Sequence, residues 1–264
     1  WKAITRADTN ETFAILTEHY EPLQNREAFD FCDAMIAQGE AIFDTAGSFF
    51  GGRKVWILLK LPNDIRVIPG DTVQPYILLS NSHDGTQALR VMFCPVRIVC
   101  SNTLSYVLRQ GGGFKAKHTK NVLNRAVEAR ELLELGNAYY EIFARQVDRL
   151  VNTRMTVLDV QKYLQDVYEF NPNKSYAEQD YRRKASYEST LNLLNHPTNT
   201  VGGIAGTQWA ALNAVTYYLD HERPVKGASL GDDVERRLSS TWFGRSADVR
   251  QRAYGLLNIG QEQS

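Results

Sequence analysis

Acidic residues are missing from one long stretch of this chain: the 43 residues Gly85–Val127 contain no Asp and no Glu. The same stretch holds Arg90, Arg97, Arg109, Lys115, Lys117, Lys120 and Arg125, with His118 among them. The chain as a whole has 30 basic and 30 acidic residues, so these seven cations leave the remainder with seven acids in excess. A one-signed block on a neutral protein is the footprint of a polyanion partner, because a local positive field attracts phosphates whatever the overall balance. The plainer alternative is that these cations cap and solvate ordinary elements.

Other absences narrow the reading further. There are only three cysteines, Cys32, Cys94 and Cys100, an odd number in 264 residues. That excludes a disulfide-framed mini-domain and fits free thiols in a reducing cytoplasm. No apolar run approaches the roughly 20 residues that span a bilayer, so no membrane partner is expected. The sequence contains no GxxxxGK[ST] loop, no dinucleotide fingerprint and no nucleophile elbow, and ATP hydrolysis, nicotinamide chemistry and acyl transfer are without support. No catalytic residue, cofactor or metal is therefore expected, and the chain is read as a binding protein rather than an enzyme.

Three local patterns bear on that reading. The run Gly202-Gly203-Ile204-Ala205-Gly206 precedes a helix and offers a phosphate cradle, but it lacks the motifs that make such a loop specific. Cys94, Cys100 and His118 offer zinc ligands, yet Cys-x5-Cys within one strand is not a usual ligand spacing. His83-Asp84 resembles the dyad of a metal phosphohydrolase, but His19, His118, His196 and His221 supply no matching ligands. A turn at a hairpin is the simpler account, with a metal-dependent nuclease kept as an alternative.

Periodicity gives an α+β fold. Trp1–Arg6 and Thr12–Leu16 read as a strand pair, and a helix runs from Asn25 to about Gln38, where Gly39 stops it. Phe43–Gly52 reads as a hinge-like segment rich in glycine. Lys54–Leu61, Thr72–Ser80 and Ala88–Cys100 read as three strands joined by turn formers, which implies a three-stranded antiparallel meander, with Asp84-Gly85 as a hairpin tip. Pro95 should interrupt the third strand or bulge it. Ser101-Asn102 reads as the cap of a short helix, and Gln110–His118 as a flexible basic segment.

Apolar residues from Val122 to Leu150 recur at spacings of four and three. They predict one helix over Thr119–Asn152, about 50 Å long at 1.5 Å per residue, packed on the meander. Lys120 and Arg125 stand at its amino end, where the helix dipole disfavours cations and a bound phosphate would relieve them. Beyond Asn152 the pattern is helical: Thr156–Tyr168, Tyr181–Asn195, Thr207–Leu219, Asp233–Ser239 and Ala247–Leu257. The division is thus an α+β core over 1–152 with a basic strand–helix junction, and a helical region over 153–264 that continues from it.

Four stretches carry a family resemblance: Ala46–Trp56, reading AGSFFGGRKVW; Leu79–Gly85, LSNSHDG; Cys94–Leu104, CPVRIVCSNTL; and Gly206–Val215, GTQWAALNAV. Together they resemble the phage/plasmid-like protein family, a domain of unknown function (number 932). The family label names no activity. The resemblance implies cargo of phages and conjugative plasmids in a bacterial host cytoplasm, with roles in DNA maintenance, recombination or defence evasion. A meander followed by a long helix is also similar to the β-β-β-α core of phage-type and eukaryotic single-strand annealing proteins, which form rings or helical filaments around a strand laid in a basic groove. That likeness is one of fold, and fold does not fix function.

The expected activity is binding of single-stranded DNA and its ATP-independent annealing by a homo-oligomer, a ring or a helical filament. Arg90, Arg97, Arg109, Lys115, Lys117, His118, Lys120 and Arg125 would meet phosphates. Asn102, Tyr106 and Phe114 would meet bases or sugars. The rival expectation is a protein-binding module that counters a host defence factor through the same patch.

Overall fold

The computed structural model describes residues 1–99, 101–103, 113–116, 136–225 and 230–258. The fold is α+β, with several small antiparallel sheets and a helical carboxy-terminal half. It divides into two compact units that interleave along the chain. Unit 1 draws its described residues from Trp1–Asp64, Gln74–Cys94 and Val107–Glu141, and unit 2 from Ile65–Val73, Pro95–Tyr106 and Ile142–Ser264.

Unit 1 opens with the hairpin β1 (Lys2–Thr5) and β2 (Thr12–Leu16), followed by α1 (Asn25–Ala37). Its main sheet contains β3 (Ile42–Phe49), β4 (Lys54–Lys60), β7 (Tyr76–Ser82), β8 (Leu89–Phe93) and β11 (Gly113–Ala116), in the order β11-β8-β7-β4-β3. All pairings are antiparallel. Of the segment read as a hinge, Phe43–Phe49 belongs to β3 and Phe50–Gly52 lies in the turn to β4. A Cβ at position 47 would lie 2.6 Å from Trp56 Cζ2, so Gly47 is there to let the indole lie across β3. On one face the sheet is held by Asn81, whose Nδ2 donates to the Leu23 carbonyl at 2.9 Å. At the other end of β7, Tyr139 stacks on Phe93 with ring centres 4.4 Å apart, and Tyr140 donates to the Tyr76 carbonyl at 2.6 Å.

Unit 2 holds a small sheet of β5 (Ile65–Ile68), β6 (Asp71–Gln74), β9 (Val96–Arg97) and β10 (Asn102–Thr103), in the order β10-β9-β6-β5. Each of the two longer predicted strands is therefore two strands in different sheets. Thr72–Ser80 divides at Pro75 and Ala88–Cys100 at Pro95, because a residue without an N–H cannot continue an interior ladder. β4, β7 and β8 are neighbours, but β5 and β6 intervene in sequence and leave for the second sheet. Asn102–Thr103 pairs with Val96–Arg97, and the short helix expected after Ser101-Asn102 lies outside the described residues.

The helices α2 (Gly136–Asn152), α3 (Val157–Val167), α4 (Tyr181–Leu193), α5 (Gln208–Tyr217), α6 (Leu230–Phe243) and α7 (Arg245–Asn258) follow. Of the predicted long helix, Gly136–Asn152 is helical and the part before residue 136 lies outside the described residues. α3 begins with a capping box between Thr156 and Asp159, and Asp180 caps α4. α5 is buried almost all round, from Trp209 to Thr216, which makes it the axis of unit 2. Tyr163 donates to the Ala253 carbonyl at 3.1 Å, tying α3 to α7. Among the described residues no helix is long and apolar enough to cross a membrane.

Candidate nucleic-acid interface

The acid-free block contributes β8, β9, β10 and β11, and the pairing of β8 with β11 decides what the block presents. Their antiparallel register sets Gly113 opposite Met92, Phe114 opposite Val91, Lys115 opposite Arg90 and Ala116 opposite Leu89. The segment read as flexible and basic is therefore a sheet strand at this point. Arg90 and Lys115 are directly opposite in the backbone ladder.

The register extends the row across the sheet. Ser80 stands opposite Arg90, Trp56 opposite Ser80, and Gly47 opposite Trp56. Trp56 is thus two strands from Arg90, about 10 Å at ordinary strand spacing. Sequence reading did not find this neighbour, because only the pairing of distant strands reveals it. Arg90 is half-buried, and burial draws its guanidinium below its ordinary pKa. The neighbouring Ser80 is buried, and Gln87 Nε2 approaches its Oγ at 3.5 Å.

Arg97 has a different fate, and its assignment to a phosphate is corrected. It lies on β9 in unit 2, with its side chain fully buried. Its Nε and Nη2 both donate to Asp71, each at 2.7 Å, and Nη2 also donates to the Thr198 carbonyl at 2.8 Å. Trp209 Nε1 donates to the same carboxylate at 3.1 Å, and the guanidinium carbon lies 5.8 Å from the Trp209 ring centre. Asp71, Thr198 and Trp209 all lie within unit 2. Its charge is balanced by Asp71, and no face of it meets solvent.

The other expected contacts divide by location. Arg90, Phe114 and Lys115 share the five-stranded sheet of unit 1, whereas Asn102 lies on β10 in the small sheet of unit 2. Tyr106, Arg109, Lys117, His118, Lys120 and Arg125 lie outside the described residues.

His83-Asp84 forms the β7–β8 turn. Asp84 Oδ1 accepts from Ser82 Oγ at 2.7 Å, from Thr86 Oγ1 at 2.5 Å and from Thr86 N at 3.0 Å. Burial opposes its ionisation, but the hydrogen bonds from Thr86 and Ser82 and the charge of Lys54 leave its pKa below the ordinary carboxylate value. His83 Nε2 meets Asn25 Oδ1 at 2.8 Å, and burial lowers its pKa against the pull of Asp84. These partners are those of a braced turn. Among the described residues no group of three His, Cys, Asp or Glu side chains is placed to hold a metal ion. Of the zinc candidates, Cys94 is buried, and Cys100 and His118 lie outside the described residues.

The glycine run before α5 is also structural. A Cβ on Gly202 would lie 2.5 Å from Ile68 Cδ1 and 3.2 Å from the Pro69 carbonyl, and Arg154 Nη1 donates to the Ala205 carbonyl at 2.6 Å. The loop packs against its own unit. Thr207 then caps α5 by accepting from the Ala210 N–H.

The four motif stretches thus map to the frame of the fold. Gly47 and Trp56 shape a sheet, Asp84 braces a turn, and Arg97 and Trp209 share one buried carboxylate. No curated protein and no solved structure matches the chain. A family model does match, over residues 12–242, and the chain belongs to that family, the domain of unknown function DUF932.

Proposed function

We propose that this protein binds single-stranded DNA and anneals complementary strands without ATP, acting as an oligomer in phage or plasmid recombination. The observation that carries the reading is the cross-strand pairing of Arg90 with Lys115 inside a stretch with no acidic residue. A sheet edge that concentrates cations is favourable against a phosphate backbone. Lys117, Lys120, Arg109 and Arg125 continue the same one-signed block in sequence, and Tyr106 and Phe114 supply aromatic rings for unstacked bases. Asn102 is a further base or sugar contact in this reading. The adjacency of β4, β7 and β8, followed in sequence by a helix ending at Asn152, supports the analogy with annealing proteins at the level of fold.

The test is annealing of two complementary labelled oligonucleotides in the absence of nucleotide, with the wild type beside a Lys115→Glu/Lys117→Glu variant. The reading expects fast annealing by the wild type and a large loss in the variant. Equal rates with and without protein would discard it and leave a protein-binding role for the same patch.

A further inference from the structure

We propose that the outer edge of β3 is a self-association surface, on which a second copy of this chain adds its own β3 antiparallel to the first. β3 is the last strand of the five-stranded sheet, and among the described residues no strand lies on its outer side. Every residue from Ile42 to Ala46 is exposed, Ile42 at 61% and Phe43 at 53%. Of the devices that ordinarily protect a sheet edge, β3 lacks brevity, lysine and proline and carries one bulge and one inward-turned charge, both at Asp44. β3 has eight residues, no Lys, no Arg and no Pro, and Asp44 is its single charge. Asp44 is also the unpaired residue of a bulge, since Phe43 faces Leu59 while Thr45 faces Leu58. Its carboxylate accepts from Tyr76 Oη at 3.4 Å, so it turns toward its own sheet.

Geometry and charge choose the occupant. Register with β4 and the alternation of side chains put Ile42, Thr45, Gly47 and Phe49 on one face and Phe43, Ala46 and Ser48 on the other. A twofold axis through Ala46 sets it opposite the second copy's Ala46. It also sets Thr45 opposite Gly47, Phe43 opposite Ser48 and Ile42 opposite Phe49, so that every pair shares a face. Small residues meet at the axis, apolar residues meet at both ends, and Asp44 never faces its own mate. A chain of net charge zero brings no long-range repulsion to such an encounter. The product is an isologous dimer with a continuous sheet across the axis.

The proposal rests on the edge of β3 alone, and its test uses no nucleic acid. The full chain is run on size exclusion with light scattering at low to high micromolar concentration. Beside it run Ala46→Lys, which sets like charges opposite each other at the axis, and Ala46→Cys under mild oxidation. Position 46 is exposed, so the fold should tolerate both changes, and circular dichroism melts check it. Directly opposite residues of an antiparallel pair have Cα atoms about 4.5–5.5 Å apart, within reach of a disulfide. The expected result is a mass near twice 29.9 kDa for the wild type. Ala46→Lys should give a monomer, and Ala46→Cys a covalent dimer that an exposed Leu158→Cys control does not form. A wild type that stays monomeric overturns the proposal. So does an oligomer that survives Ala46→Lys and gives no cross-link at position 46.

Discussion

Replacing Arg97 by alanine separates the two roles that a cation in this block can have. The side chain is fully buried against Asp71, which is buried as well. Without it the carboxylate keeps only the Trp209 N–H among these donors, and the Thr198 carbonyl loses its guanidinium partner. Removing one member of a buried ion pair leaves an uncompensated charge and costs about 3–5 kcal/mol. At about 2–4 °C per kcal/mol for a chain near this size, the melting transition should fall by about 6–20 °C. Thermal unfolding followed by circular dichroism measures this directly. Pairing Arg97→Met with Asp71→Leu should recover part of the loss, because no buried charge is then left alone. If Arg97→Ala kept its melting temperature and lost only oligonucleotide binding, the buried-pair account would be refuted and Arg97 would be a phosphate contact.

Two further predictions follow from the frame of unit 1. Gly47→Val forces a side chain into the space of the Trp56 indole, and overpacking of this kind costs about 1–3 kcal/mol; a lower denaturation midpoint and altered tryptophan emission should both appear. Burial lowers the pKa of folded His83, so the unfolded chain takes up a proton at higher pH than the folded one. Its contribution to stability is complete above the unfolded value of about 6.5 and declines as pH falls from there toward the folded value. Melting temperatures recorded between neutral and mildly acidic pH should show a weaker dependence in His83→Gln than in the wild type.

The chain states its local elements well and its partnerships poorly. α1, β1, β2, α3 and α4 follow from apolar spacing and from local signals such as Gly39, which stops α1, all of which act within a few residues. Strand Thr72–Ser80 was legible as extended chain, but its division between two sheets at Pro75 depends on partners far away in sequence. Gly47 looked like a hinge because the indole that requires it lies on the next strand. Gly113–Ala116 was hidden by its glycines, since a strand end without alternating apolar residues has no period to read. Arg97 looked like its neighbours in the block because charge in sequence carries no depth. Its partner Asp71 stands 26 residues away and Trp209 lies 138 residues from the same carboxylate. The aspartate in the turn Pro69-Gly70-Asp71 and the lone Trp in an apolar helix were the available signals, and neither points to the other. The pairing of Arg90 with Lys115 was equally unreadable, because it rests on register.

The central claim is that the cationic block meets a single-stranded phosphate backbone, and the salt dependence of oligonucleotide binding tests it most directly. With Arg97 set aside, Arg90, Arg109, Lys115, Lys117, Lys120 and Arg125 remain. If all six meet phosphates, log affinity should fall with log salt at a slope of about −4, and Lys115→Glu/Lys117→Glu should make that slope shallower by about 1.4 or more. Tight binding with such a slope, weakened in the variant and retained by folded Arg97 variants, is the predicted result. Undetectable binding at low salt, or binding whose salt slope is near zero, would contradict the account.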